Sequence, residues 1–312
     1  MDGGIGIVEM MYKTNIFGLV GGGKNPKYTP NKVVLWDDYQ TKVLNEFKLT
    51  SSVKNLKIKK DKIIIVCEQR IYVYSTDKYK LIETIETSKN ETGVIGINTE
   101  QNFTVMGFPI IPEGFIKVKY YENSQEVDIN AHNGVIHYIS INSDGTLVAT
   151  ASNKGHIIRV FCIATGQFLE EYRRGKEKAL ISNITFDEYS SWMGVCSERG
   201  AIHIFSMGNV WQMVKESGEE RKKVPKDEEE LPKNESSVFR KLPNFLTGGA
   251  FDADRAFSKV KVEEQPAICA IYPNYDIIIV TSSGKLYQSK LNPKKGGHCQ
   301  ILKVEDLNQK PK

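Results

Sequence analysis

The sequence predicts an all-β protein, a WD40-like propeller with six blades visible. Two observations carry this expectation. Short apolar runs ending in an aromatic residue recur at a nearly constant step, and most follow an earlier run and a polar turn. The runs cover residues 32–36, 71–74, 116–120, 157–161, 201–205 and 285–287. Their aromatics, Trp36, Tyr74, Tyr120, Phe161, Phe205 and Tyr287, lie 38, 46, 41, 44 and 82 residues apart, the last step being two units long. A period of about forty with several β-type runs per unit is the signature of propeller blades. An irregular β sandwich would not repeat one strand–aromatic unit six times at that spacing. Helical patterning is sparse, and no alternation of strands with helices is visible.

The units run 4–50, 51–88, 91–132, 134–175, 178–263 and 266–307, within a single domain spanning 1–312. The first contains a WD dipeptide, Trp36-Asp37. It also contains Gly18-Leu19-Val20-Gly21-Gly22-Gly23-Lys24, which fits seven positions of a phosphate-binding Walker loop. The eighth is Asn25, which lacks the hydroxyl needed for magnesium, and Pro26 follows. No helix N-terminus stands there to receive phosphate, so the segment reads as a glycine-rich hairpin. The apolar run 63–67 of the second unit is too short to span a bilayer.

The fourth unit has a turn at Asn142-Ser143-Asp144-Gly145 before its run 147–150, and another at Ala164-Thr165-Gly166-Gln167. It ends in Tyr172-Arg173-Arg174-Gly175. Adjacent residues of an extended segment point to opposite sides, so the two arginines can serve two separate anion pockets. Each guanidinium is a rigid fork of donors suited to phosphate, charged at any cellular pH.

The fifth unit is long because of an insertion at 208–257. Residues 215–235 form a mixed charge run that cannot bury a core and reads as a disordered surface loop. Residues 238–257 mix Phe239, Leu242, Phe245, Phe251 and Phe257 with Arg240, Lys241 and Arg255. Such a loop is suited to dip into a membrane interface, or to fold back on the propeller edge.

A net charge of +4 is too mild for a nucleic-acid binder. The five cysteines are odd in number and scattered, which indicates neither a zinc site nor a disulfide framework. Cys67, Cys162, Cys196 and Cys269 sit in apolar runs and read as buried thiols of a cytosolic protein. The N-terminus lacks the pattern of a signal peptide. Histidines 132, 137, 156, 203 and 298 show no metal-ligand spacing, and no catalytic Ser-His-Asp or Cys-His set can be placed. The expectation is therefore a non-enzyme without cofactor or metal.

With the arginine pair closing one blade, and Ser197 and His203 in the next, the chain resembles the PROPPINs. These are the WD-repeat phosphoinositide-interacting proteins (the WIPI family) of autophagy. The resemblance covers nearly the whole chain. It is carried by Asn25-Pro26-Lys27-Tyr28 with residues 31–38, by Ala149-Thr150-Ala151-Ser152 with Lys154-Gly155 and 158–161, by Tyr172 to Gly175, and by Pro293-Lys294-Lys295-Gly296-Gly297.

The resemblance implies a seven-bladed ring whose first blade has no counterpart here. It implies binding of phosphatidylinositol 3-phosphate and the 3,5-bisphosphate at two rim sites flanking the arginine pair. The first would use Thr150, Ser152, Gly155, Arg159 and Arg173. The second would use Arg174, Gly175, Ser197 and His203. The insertion, through Phe239, Leu242, Phe245 and Phe251, would add apolar contact with the membrane. The implied location is cytoplasmic and peripheral on autophagosomal or endosomal membranes, with autophagy proteins, a lipid-transfer protein among them, as partners. Two positions depart from the family pattern: His156 and Ala201 stand where it has threonine. They favour the alternative of a protein-binding scaffold with degenerate lipid sites.

Overall fold

A computed structural model describes residues 3–199, 201–216, 231–235, 253–264 and 266–309. Over these residues the chain forms six sheets that follow one another in sequence. The first holds β1 (Ile5–Met10), β2 (Ile16–Gly21), β3 (Lys32–Asp37) and β4 (Lys42–Lys48). The second holds β5 (Val53–Ile58), β6 (Lys62–Cys67), β7 (Arg70–Ser75) and β8 (Leu81–Glu86). The third holds β9 (Gly96–Ile97), β10 (Val105–Ile110), β11 (Phe115–Tyr120) and β12 (Glu126–Asn130). The fourth holds β13 (Ile136–Ile141), β14 (Leu147–Ser152), β15 (Ile157–Cys162) and β16 (Phe168–Arg173). The fifth begins with β17 (Ile181–Phe186), β18 (Trp192–Ser197) and β19 (Ala201–Ser206). A helix, α1 (Gly208–Glu216), comes next, then β20 (Asp254–Arg255) and β21 (Ser258–Lys261). The rest is β22 (Ala267–Ile271), β23 (Asp276–Thr281), β24 (Lys285–Lys290), β25 (Gly297–His298) and β26 (Ile301–Asp306).

Strands β21 and β26 close the fifth and sixth sheets by pairing antiparallel with β19 and β24. Two short strands cross to other sheets in parallel: β20 pairs with β16, and β25 with β21. The recurring aromatics Trp36, Tyr74, Tyr120, Phe161, Phe205 and Tyr287 all lie on the third strand of their sheets. That common strand is why they recur about forty residues apart; the last step, 82 residues, is not two units but one, joining successive sheets across the insertion.

Alternation along each strand supplies the packing between sheets. On β14, Leu147, Ala149 and Ala151 pack with Ile184, Val195 and Phe205 of the fifth sheet. Val148, facing the other way, packs with Val118 of the third. The second strands β6, β14 and β18 are buried at every position. Covered on both faces, they read as continuous apolar runs and not as alternating ones. Five apolar clusters fill the five seams between successive sheets.

Among the described residues no such cluster joins the sixth sheet to the first. Register aligns Ile268, Val280 and Leu286 across the sixth sheet. They lie opposite Ala267, Cys269, Ile271 and Tyr287, which pack on the fifth. Ile268 is 56% exposed and Val8 of β1 is 58% exposed, whereas Ile202 and Ile204, facing the filled seam between fifth and sixth, are fully buried. The first sheet is partly covered by its own hairpin. A Cβ on Gly21, on the face away from the second sheet, would stand 1.7 Å from the Tyr28 carbonyl oxygen. The glycine-rich segment is thus a β2–β3 connection that crosses its own sheet, with no helix. Val280 and Leu286 beside Ile268 are half-buried, and a partly exposed apolar row of this kind is suited to self-association. Replacing Ile268 and Leu286 together with glutamate is expected to lower the average mass seen by sedimentation velocity at high concentration; an unchanged mass would mean that this face is not the contact.

The insertion differs from its expected form in its first part. Lys215 and Glu216, placed by the sequence in a disordered run, close α1. Val210 and Val214, four apart on α1, are buried against the fourth and fifth sheets. Asn234 is also buried; its amide donates to the Ser206 carbonyl at 2.8 Å and accepts from the Ser206 N–H at 2.8 Å. In the second part, Phe257 follows the fold-back course: it is a core residue, 7% exposed with its ring 5.3 Å from that of Trp192. Phe239, Leu242, Phe245 and Phe251 lie outside the described residues. Among the described residues no helix is long and apolar enough to cross a membrane.

Candidate functional site

The end of β16 parts the two arginines. Tyr172 pairs with Ile158 and points toward the fifth sheet, where it is fully buried, its ring 5.0 Å from Phe205. Arg173, paired with Ile157, therefore lies on the opposite face, the one turned toward the third sheet. Arg174 follows the last strand residue and reaches back. Its Nε donates to the Gly155 carbonyl at 2.8 Å and its Nη2 donates to the Glu177 carbonyl. It is 8% exposed. Burial, and then the nearby Arg199, pull its pKa down, with Glu177 opposing.

On the Arg173 side, register sets Thr150, Arg159 and Glu171 in one row across β14, β15 and β16. Arg159 Nε donates to Glu171 Oε2 at 2.8 Å, and Nη1 donates to the Ala131 carbonyl at 2.9 Å. Thr150 is fully buried; its Oγ1 is 3.1 Å from His132 Nε2 and donates to the Arg159 carbonyl at 3.4 Å. Ser152 is buried, its Oγ accepting from the Lys154 N–H at 3.4 Å. Thr150 and Ser152 thus underlie the surface, while Arg159 and Arg173 edge it. His132 and Glu171 join this group without having been singled out by sequence. The Glu171 contact follows from counting back across the 164–167 turn; a lone histidine before a turn carries no such signal.

Gly155 sits at φ +61°, and a Cβ there would stand 1.9 Å from the Ala179 carbonyl oxygen. Its glycine is required by that approach, whether or not a ligand comes near. Gly155→Ala is expected to destabilise the protein by about 1–3 kcal/mol through the left-handed backbone and the clash. Urea denaturation measures the loss, and unchanged stability would show that the loop relaxes.

On the Arg174 side, Ser197 is buried and its Oγ donates to the Arg199 carbonyl at 2.9 Å. Arg199 Nη1 pairs with Glu177 Oε2 at 2.7 Å in the open. His203 is 8% exposed and aligned with Lys259 of β21. Burial, then Lys259, then Arg174 push its pKa down to about 4. Its Nδ1 is buried and makes no hydrogen bond of good geometry, although the Ala201 backbone lies close enough to favour the charged form slightly. Ala201 itself has no hydroxyl to offer. A Cβ on Gly175 would meet nothing within 4 Å, so the space before the arginine pair is open. Lys259 was missed because its partner, His203, lies across the insertion, where no hairpin register can be counted.

The arrangement offers cationic and neutral donors at a sheet edge, with open space at Gly175. Among the described residues no group of three or more His, Cys, Asp and Glu is placed to hold a metal ion. The PROPPIN family model matches residues 4–308. The chain belongs to the PROPPIN family. It is 29% identical to Autophagy-related protein 18 of Yarrowia lipolytica over 358 residues, covering 98% of this chain and 87% of that protein. It is 34% identical to Autophagy-related protein 18e of Arabidopsis thaliana over 207 residues, 66% of this chain and about half, 55%, of that relative's length. Kluyveromyces lactis Hsv2 superposes with a TM-score of 0.71 at 19% identity, covering 97% of this chain and 87% of the other. KlAtg21, solved in complex with the coiled coil of AgAtg16, superposes with a TM-score of 0.72 at 20% identity, covering 97% and 85%. These two structures share the propeller fold with this PROPPIN.

Proposed function

We propose that this PROPPIN is a non-catalytic phosphoinositide effector. It binds phosphatidylinositol 3-phosphate and the 3,5-bisphosphate through the two sides of its rim, peripheral to the membrane, and recruits autophagy proteins where autophagosomes form. The observation that carries this reading is the divergence of Arg173 and Arg174 onto opposite faces of one blade, with open space at Gly175 beside them. The poorly bonded Nδ1 of His203 adds to it, because a buried polar atom without a partner is costly until a ligand supplies one. The names of the autophagy-related relatives support the pathway, and the KlAtg21 complex supports a protein partner.

A second reading, a protein scaffold with degenerate lipid sites, is favoured by one observation. The guanidinium of Arg174 is engaged by two carbonyls, and Ala201 adds no donor. Flotation of the protein with phosphatidylcholine vesicles, with and without phosphatidylinositol 3-phosphate, separates the two. Retention only on the phosphoinositide vesicles is expected; equal recovery on both rejects the lipid reading.

A further inference from the structure

We propose, resting on the phosphoinositide reading above, that residues 254–261 form a strap carrying one extra basic contact to each rim site: Arg255 to the first and Lys259 to the second. Register places them. Strand β20 lies parallel to β16, aligning Arg255 with Arg173. Only a few residues later, β21 lies antiparallel to β19, aligning Lys259 with His203. A single short stretch therefore crosses from the fourth sheet to the fifth and touches both sides of the arginine pair.

The strap is held by its own core contacts, so its outer residues are presented without help from a ligand. Asp254, Ala256, Phe257, Ser258 and Val260 are buried. Asp254 accepts from Asn209 Nδ2 at 3.3 Å, and Ser258 Oγ donates to the Gly297 carbonyl at 2.9 Å. Arg255 is exposed and Lys259 half-buried.

Charge is where the rim needs them. On the first side the Arg159 guanidinium is bound to Glu171. On the second, Arg199 is paired with Glu177, and Arg174 gives its Nε and Nη2 to two carbonyls, which leaves Nη1 for a ligand. Glu235 is bridged to Arg255 on its other side, and Arg173 and Arg255, like charges aligned on neighbouring strands, repel. An anion seated between them turns that repulsion into a chelating fork. A phosphorylated inositol, with a phosphate for each side of a cation pair, has the matching chemistry.

The test reads each residue in a background that isolates one site. Binding is measured to phosphatidylcholine vesicles containing phosphatidylinositol 3-phosphate and to soluble inositol 1,3-bisphosphate, at a temperature where every variant is folded by its melt. With Arg174→Ala present, only the first side remains; there Arg255→Gln is expected to weaken both ligands about tenfold or more, and Arg255→Lys to keep most of the affinity. With Arg173→Ala present, Arg255→Gln is expected to change nothing and Lys259→Gln to weaken binding by a similar factor. Equal losses in both backgrounds, no loss in either, or a loss on vesicles that phosphatidylserine vesicles reproduce and the soluble headgroup does not, would each overturn the strap. Failure of the unsubstituted protein to bind either ligand would instead remove the phosphoinositide reading, and the strap with it.

Discussion

Replacing Arg173 and Arg174 together with alanine is expected to abolish recruitment to vesicles carrying phosphatidylinositol 3-phosphate while leaving the propeller folded. Each charge-assisted hydrogen bond contributes roughly 1.5–3 kcal/mol, so losing two lowers affinity by more than about a hundredfold. The singles should differ, and in two separate measurements. Arg173→Ala should weaken binding more, because the second side lacks the hydroxyl absent at Ala201. Arg174→Ala should instead cost stability. Its guanidinium is nearly buried and holds the carbonyls of Gly155 and Glu177. Truncation leaves the buried Gly155 carbonyl unpaired, at about 1–3 kcal/mol for a buried polar group, whereas Glu177 is exposed and its carbonyl can turn to water. Vesicle flotation and thermal melts on all three variants check this. Unchanged flotation of the double variant would sink the rim as the lipid site.

The blade pattern was legible because it is a local property. Each unit's third strand carries its aromatic, and the doubly covered second strands show apolar stretches such as 63–67 and 147–149. The parting of Arg173 and Arg174 was legible only in part: alternation along β16 ends at Arg173, and Arg174 reaches its side from beyond the strand, held by the Gly155 and Glu177 carbonyls. What lay across distance was not legible. Glu171 meets Arg159 within one hairpin and was recoverable by counting, but His132 reaches Thr150 from another blade. Arg255 and Lys259 return to the rim only after the insertion. The course of Phe257 was left open between two readings. An aromatic beside arginine and lysine fits a membrane-facing loop or a folded-back one, and the pairing of β21 with β19 turns its ring inward against Trp192. Helix α1 escaped because its apolar residues, Val210, Trp211, Met213 and Val214, form a single turn's stripe at the edge of a charge run.

Stability is expected to fall steeply as pH drops from about 6.5 to 4, a window set by two buried histidines. His132 is 4% exposed and His203 8%. Burial is the main cause that pushes each pKa down to about 4 from the ordinary 6.5, helped by Arg159 at His132 and by Lys259 and Arg174 at His203. The sign follows from which state holds the proton. Between pH 4 and 6.5 the unfolded chain protonates these imidazoles and the folded one does not, so acid favours unfolding. The stabilisation is complete above 6.5 and is lost on descending to the folded pKa. A tenfold change in proton affinity corresponds to about 1.4 kcal/mol, so each histidine contributes about 3 kcal/mol across the window. Urea denaturation at pH 7.5, 6 and 5 should show the decline, and His132→Gln should flatten it by roughly half. Bound phosphate works the other way. An anion beside His203 stabilises its protonated form and raises its pKa, so phosphoinositide binding should tighten as pH falls, and saturating soluble headgroup should recover part of the stability lost at pH 5. A headgroup that protects no better at pH 5 than at pH 7.5 would place the anion away from His203.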